Sequence, residues 1–321
     1  MTAALDSEIR AALSEHGAEA RRVLEPVVAT RYDRKCWPTY GQYDWFCAQV
    51  LYSLLRARKP AQVLEVSTSS GYSSCITGLA LKANGAGRLD TFELDAAVAA
   101  GAQRNFERLG VQGQIHLHVG DARKTSLGLA HLRDADILFL DSLHTAEFMQ
   151  WFMDAFVVGA APGALVHVHD VTPWSARLRS YGSPGRGLVL DARRWLYNRW
   201  VAGLPRSEEV LPTVHPPQAG VAGDKPSYNG IETMEAVLAN ELALLMPPGA
   251  YAFLNQLAPL VPEAEAQKFG GMSIGRQDRF GAPAEWNDAF WARAGDTAAA
   301  LARWRASGRP LRPDFEPGSG A

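Results

Sequence analysis

Acidic and imidazole side chains recur in this chain where apolar runs stop. Glu65 lies within Val63-Leu64-Glu65-Val66, Glu93 closes Leu89-Asp90-Thr91-Phe92-Glu93, Asp121 follows the run Ile115 to Val119, and Asp141 follows Ala135 to Leu140. A fifth run, His167-Val168-His169, ends at Asp170, and His144 lies just beyond Asp141. Carboxylates accept hydrogen bonds from sugar hydroxyls, and imidazole takes up protons near neutral pH. The chemistry on offer is recognition of a hydroxylated ligand beside a centre able to remove a proton.

These groups need a frame that brings them to one edge. Gln62 to Val66 reads as a buried strand, Ser67-Thr68-Ser69-Ser70-Gly71 as a tight turn of small residues, and Tyr72-Ser73-Ser74 as the start of a helix. The first backbone N–H groups of a helix have no intrahelical acceptor and attract a carboxylate or phosphate. With one glycine rather than three, the turn misses the dinucleotide fingerprint, which argues against a nicotinamide or flavin. Glu93 comes about twenty residues after Gly71, where doubly wound sheets hold an acid for a ribose diol. The ligand expected is therefore a nucleoside with an anionic end, and the Ser73 and Ser74 hydroxyls are expected to join the helix start in binding that end.

From Val63 to Asp170 strand and helix patterns alternate about five times, which predicts a parallel sheet with right-handed crossovers. Helices are expected after Gly71, Asp95, Ala122, Thr145 and Val171, after a first helix over residues 1 to 28. An apolar helix should end near Arg56, behind the aromatic group Tyr32, Trp37, Tyr40, Tyr43, Trp45 and Phe46. Residues 172 to 230 are rich in proline around one expected helix, Leu188 to Val201, and read as an insertion over the ligand edge. Beyond it, a helix from Tyr228 to Leu245, a sixth strand over Ala250 to Leu257 and an amphipathic helix over Trp286 to Arg305 are expected. The domain reading is a helical cap at 1–60, a ligand-binding domain at 61–280, and a C-terminal helix with its tail at 281–321.

The chain has 321 residues, 47% apolar and 21% charged, with a formal net charge of −2. That balance carries no basic run to favour nucleic acid, and no apolar run approaches the length needed to span a membrane. The N-terminus lacks a secretory apolar core. Cys36, Cys47 and Cys75 form neither a disulfide framework nor a Cys-x-x-Cys pair, so reduced thiols and a cytoplasmic location are expected.

The stretch Leu64-Glu65-Val66-Ser67-Thr68-Ser69-Ser70-Gly71-Tyr72-Ser73-Ser74 resembles the first strand and turn of class I S-adenosylmethionine-dependent methyltransferases. The pattern is similar to the metal-dependent catechol O-methyltransferase type, with Gly71-Tyr72-Ser73-Ser74 the specific match and Ser67 a departure from the family's usual glycine. The resemblance covers about Arg31 to Val171. It implies an α/β, Rossmann-like doubly wound fold with a mostly parallel seven-stranded sheet, helices on both faces, N-terminal helices and a lid insertion. Lys268 to Gly275 is expected as its antiparallel strand. S-adenosyl-L-methionine is the cofactor implied, with Glu65, Ser67, Gly71, Tyr72, Ser73, Ser74, Glu93, Asp121, Ala122 and Asp141 around it. Asp121 and the Ala122 backbone would meet the adenine amine.

The same resemblance assigns Asp141, His169 and Asp170 to a divalent-metal site. Histidine among the ligands shifts preference from Mg toward Mn, Fe, Co or Zn. His144 stands where the family keeps a lysine base, so Asp141, His144 and His169 are the catalytic candidates. His167, His116 and His118 are read as core or supporting residues. The function expected is O-methylation of a small molecule, a secondary metabolite or sugar, by an enzyme that forms a homodimer. The alternatives are a non-catalytic binder and a metal-dependent oxidative protein on the same fold.

Overall fold

The computed structural model describes residues 4–29, 45–141, 146–169, 242–243, 245–254 and 289–308. Elements are numbered among these residues. Helices α1 (Leu5–Ala29) and α2 (Trp45–Arg58) precede β1 (Gln62–Val66), α3 (Tyr72–Asn84), β2 (Arg88–Glu93), α4 (Ala96–Leu109) and β3 (Ile115–Val119). Then come a short α5 (Ala122–Thr125), β4 (Ile137–Leu140), α6 (Ala146–Phe152), β5 (Leu165–His169), β6 (Tyr251–Phe253), β7 (Ala289–Arg293) and α7 (Ala294–Ala306).

The strands form one sheet in the order β3-β2-β1-β4-β5-β7-β6. The first five strands pair in parallel, while β7 runs antiparallel to both β5 and β6. Alternation along each strand builds two cores, as the pleat requires. Val63, Leu89, Ile137, Phe139, Leu165 and Trp291 face α1 to α4. Leu64, Phe92, Leu138, Val166, Val168 and Phe290 face α6 and α7. Every residue of β1, β4 and β5 is buried, which explains their near-continuous apolar runs. Reversal of the strand order beside β1 opens a crevice at the carboxyl ends of β1 and β4, and the acids converge on that edge.

Helix α1 is tied into this frame at its start. The Glu8 carboxylate accepts from Arg58 at 2.5 Å and Arg293 at 3.0 Å, linking α1 to α2 and β7. The Leu5 N–H donates to the Gly249 carbonyl at 2.8 Å. No described helix is long and apolar enough to cross a membrane.

Two expectations for the C-terminal part are corrected. The place beside β5 expected for Lys268 to Gly275 is taken by an antiparallel strand at Ala289–Arg293, within the stretch expected as the final helix, and that helix begins only at Ala294. The reason is local: in Ala-Phe-Trp-Ala-Arg the two large rings alternate, Phe290 entering one core and Trp291 the other, a strand period too short to recognise beside a long helix. Strand β6 falls within the expected Ala250 to Leu257. The aromatic group at 32–43, the insertion at 172–230 with its helix Leu188 to Val201, most of the helix expected from Tyr228, and the 268–275 segment lie outside the described residues.

Candidate functional site

The bend after β1 is held from several sides. Thr68 N–H donates to the Phe92 carbonyl at 2.9 Å, Gly71 N–H to the Thr68 carbonyl at 2.8 Å, and Asp141 N–H to the Val66 carbonyl at 2.8 Å. From α4, Asn105 Nδ2 donates to the Ser70 carbonyl at 2.9 Å. Ser69 and Gly71 take positive φ, 48° and 78°, which turns the chain sharply into α3. A Cβ on Gly71 would stand 2.5 Å from Phe106 Cε1, so glycine is required there by both conformation and space. Gly71, the N-cap of α3, has no side chain with which to cap the helix.

Under the bend lies Glu65, fully buried. Its carboxyl accepts from the Ser73 hydroxyl at 2.5 Å, the Ser74 hydroxyl, and the Thr91 hydroxyl at 2.7 Å. Both hydroxyls, expected at a ligand's anionic end, are in this structure turned inward onto Glu65. Burial pushes the Glu65 carboxyl up to about 7, against the three hydroxyl bonds and with help from the negative charge of Asp141. The sign of the linkage follows. The folded protein holds a proton that the unfolded chain releases near 4.5, so the stabilisation is full below that pH and is lost as pH rises through about 7. Relative to Glu65→Gln, which does not titrate, the parent is expected to lose about 3 kcal/mol between pH 4.5 and 8, at 1.36 kcal/mol per pKa unit. Urea denaturation of both proteins at the two pH values checks this.

Glu93 sits across the bend at the end of β2, only 8% exposed. One carboxylate oxygen accepts the Ser69 N–H at 2.8 Å and the other the Asp95 N–H at 3.0 Å. Each oxygen retains acceptor capacity. Burial raises the Glu93 pKa, opposed by the N–H groups of Asp95 and Ser69. Next to it, Asp121 caps α5 and is forked by Arg123, whose Nε and Nη2 donate to its two oxygens at 3.0 and 2.8 Å. That fork, set against partial burial, holds the Asp121 carboxyl below the usual range. Ala122 is buried in the core below.

Three residues at this end were not singled out from the sequence. Leu94 and Val119, 59% and 50% exposed, are apolar side chains at the ends of β2 and β3. Arg123 lies 5.7 Å from the ring centroid of Phe148, bridging the end of β3 to α6. An apolar residue directly after Glu93 is a signal that strand-end reading can find; the reach of Arg123 to α6 is not.

Asp141 and His169 meet at the ends of β4 and β5, with Nδ1 of the buried imidazole 3.2 Å from Asp141 Oδ2. Two ligands at about 2.1 Å from one ion and roughly at right angles stand about 3 Å apart, so this pair fits a shared divalent cation. Among the described residues no group of three or more His, Cys, Asp or Glu is arranged to hold one. Asp170 and His144 lie outside the described residues. His167, one alternation deeper, is sandwiched between Phe139 and Trp291 at ring-centroid distances of 4.3 and 4.0 Å, and burial holds its pKa well below the usual value. It is a neutral core residue. His118 stacks on Phe92 and bonds to Asp90 at 2.6 Å, whereas His116, expected as a core or supporting residue, is exposed.

Residues 64–171 match the family model described as "Methyltransferase domain". That stretch, about a third of the chain, is similar to a methyltransferase domain. Its likeness is to class I S-adenosylmethionine-dependent methyltransferases of the catechol O-methyltransferase type. A catechol O-methyltransferase from Niastella koreensis is 32% identical over 138 residues, covering 42% of this chain and 57% of that protein. This chain thus matches little more than half the length of that relative. Among solved structures, TomG of Streptomyces achromogenes, an O-methyltransferase of tomaymycin synthesis in complex with SAM, is 26% identical over 49% of this chain and 68% of its own, at a TM-score of 0.33. An O-methyltransferase from Bacillus cereus in complex with SAH is 18% identical over 59% of this chain and 80% of its own, at a TM-score of 0.35.

Proposed function

We propose that this protein uses S-adenosylmethionine to methylate a hydroxyl of a small molecule, a secondary metabolite or a sugar. One observation carries the reading: the buried Glu93 carboxylate accepts an N–H of the bend while keeping acceptor capacity on both oxygens, so an acid for a diol adjoins an uncapped helix start. Bound there, S-adenosylmethionine supplies a methyl group made electrophilic by a positive sulfur.

The protein's part is binding, orientation and proton removal. Backbone N–H groups at the start of α3 take the amino-acid carboxylate. Glu93 accepts the ribose hydroxyls. Leu94 and Val119 give the adenine apolar surface, and Asp121 with the Ala122 backbone meets its exocyclic amine, Arg123 holding the Asp121 carboxyl ionised. Ser67, half-buried at the strand end, and Tyr72 flank the amino-acid end. At the other end Asp141 and His169, with His144, orient the acceptor hydroxyl and take its proton. Asp141, His169 and Asp170 are the residues that would hold a divalent cation, whose contribution would be to lower the pKa of the acceptor. Alignment of acceptor and donor supplies most of the rate.

The test is transfer of label from methyl-labelled S-adenosylmethionine to a panel of phenols, catechols and sugars. Asp141→Ala is expected to lower kcat at saturating cofactor by about 100-fold or more, the usual scale for losing an acid–base or orienting group. Parent protein that binds the cofactor and labels no hydroxylated acceptor would leave the non-catalytic reading in its place.

A further inference from the structure

A serine in the first turn of a helix ordinarily turns its hydroxyl to a nearby backbone group or to water. Ser73 and Ser74 do neither, because both hydroxyls meet the carboxyl of Glu65, on the strand that leads into the bend. A third bond reaches the same carboxyl from Thr91 on β2, and the Thr91 oxygen also pairs with Thr68 Oγ1 at 2.8 Å. A hydroxyl has one proton, so with Thr91 donating to Glu65 it is Thr68 that donates to Thr91. One buried carboxyl therefore ties together β1, β2, the first turn of α3 and, through Thr68, the bend itself. All of this lies beneath the loop, and Glu65 has no exposed surface with which to touch a ligand.

We infer that Glu65 is a positioning residue: it commits the serine hydroxyls of α3 to the strand below, so that the helix start is fixed in place yet left uncapped for the anionic end of the ligand. This inference rests on the methyl-donor reading of the site and moves Glu65 from the ligand's contacts to its support. The serines could cap their own helix; directed onto Glu65, they leave that end to the ligand. The same web explains how a loop with serine at position 67 in place of glycine keeps a defined path. Its shape is imposed from below by Glu65 and Thr91, and from the side by Asn105.

The test compares Glu65→Ala and Glu65→Gln in the full chain by calorimetric titration with S-adenosylhomocysteine and by hydrogen exchange of the amides at 75–78, which begin with the Cys75 N–H bonded to the Gly71 carbonyl. Glu65→Ala leaves three buried hydroxyls without their shared partner, and its affinity is expected to fall about 30-fold or more. Amide exchange in the first turn of α3 should rise about 10-fold or more, while the central amides of β4 stay protected. Glu65→Gln keeps an oxygen for Ser74 and Thr91 and presents an NH2 to Ser73, whose hydroxyl, unlike a backbone N–H, can turn to accept it, so it should stay within about threefold of the parent in both readouts. A folded Glu65→Ala with parent-like affinity and exchange overturns the inference, as does Glu65→Gln damaged as badly as Glu65→Ala, since a charge contact rather than a hydroxyl anchor would then be at work. Should Glu65→Ala not fold, Thr91→Val and Ser74→Ala each remove one strand of the web. Both are then expected to show smaller losses in the same two readouts, and parent-like behaviour in both overturns it. If the parent itself binds no S-adenosylhomocysteine, the methyl-donor reading fails, while the exchange comparison still decides whether Glu65 organises the start of α3.

Discussion

Replacing Glu93 by glutamine is expected to weaken binding of S-adenosylhomocysteine by roughly 30- to 1,000-fold, the range for losing one or two hydrogen bonds to a charged acceptor. The geometry explains why so small a change should cost so much. Both carboxylate oxygens already accept a backbone N–H, from Ser69 and from Asp95. A carboxamide has one oxygen and one NH2, so whichever way it turns, one of those N–H groups faces a donor. The variant therefore loses an acceptor for the ribose and, at the same time, the hold on either Ser69, which shapes the bend, or Asp95, which caps α4. The thermal midpoint should change less than the affinity, because the substitution also removes a carboxyl whose ionisation burial opposes. Calorimetric titration beside a thermal melt separates the two effects.

Gly71→Ala is expected to destabilise the protein by about 2 to 4 kcal/mol, combining the cost of a left-handed conformation with overpacking in a closed core. At φ of 78°, the added methyl would lie 2.5 Å from Phe106 Cε1 and 3.2 Å from Ala102 Cβ. Phe106 is fully buried in the core shared with α3, so its ring has no open space to move into. Relief has to come from shifting the start of α3, the part of the chain on which the amino-acid end depends. Denaturant unfolding measures the loss of stability, and binding should weaken with it. A control at Gly85, where an added Cβ meets nothing within 4 Å despite a φ of 70°, should cost only the conformational part, about 1 kcal/mol.

The parallel half of the fold was legible in the sequence because four of its strands, β1, β2, β4 and β5, are buried on both faces and the runs give way to small or acidic residues. Those two features, apolar runs such as Ile137 to Leu140 and the acids that follow, are properties of single segments. The pairings that complete the site are not. Nothing local to Ser73 or Ser74 indicates that their hydroxyls turn to Glu65 rather than outward, since that depends on the height of α3 above β1. Nor does the spacing of Arg123 and Phe148 announce their contact across α5 and α6. The antiparallel strand at Ala289–Arg293 escaped for a related reason: its five residues sit against a helix with a stronger periodic signal, and only pairing with both β5 and β6 makes it a strand. His167 and His169 illustrate the same limit on one strand. They share a face and a residue type, yet one is packed between two rings as neutral core while the other meets Asp141 at the edge.

The central claim is that the bend ahead of Tyr72 and the acid of β2 together hold a sulfonium nucleoside, and a crystal structure of the protein with S-adenosylhomocysteine tests it directly. The ribose hydroxyls are predicted within hydrogen-bonding distance of both Glu93 oxygens, with the amino-acid carboxylate against the first N–H groups of α3 and Glu65 still bound to Ser73, Ser74 and Thr91. A nucleoside bound elsewhere, or a ribose turned away from Glu93, would contradict it.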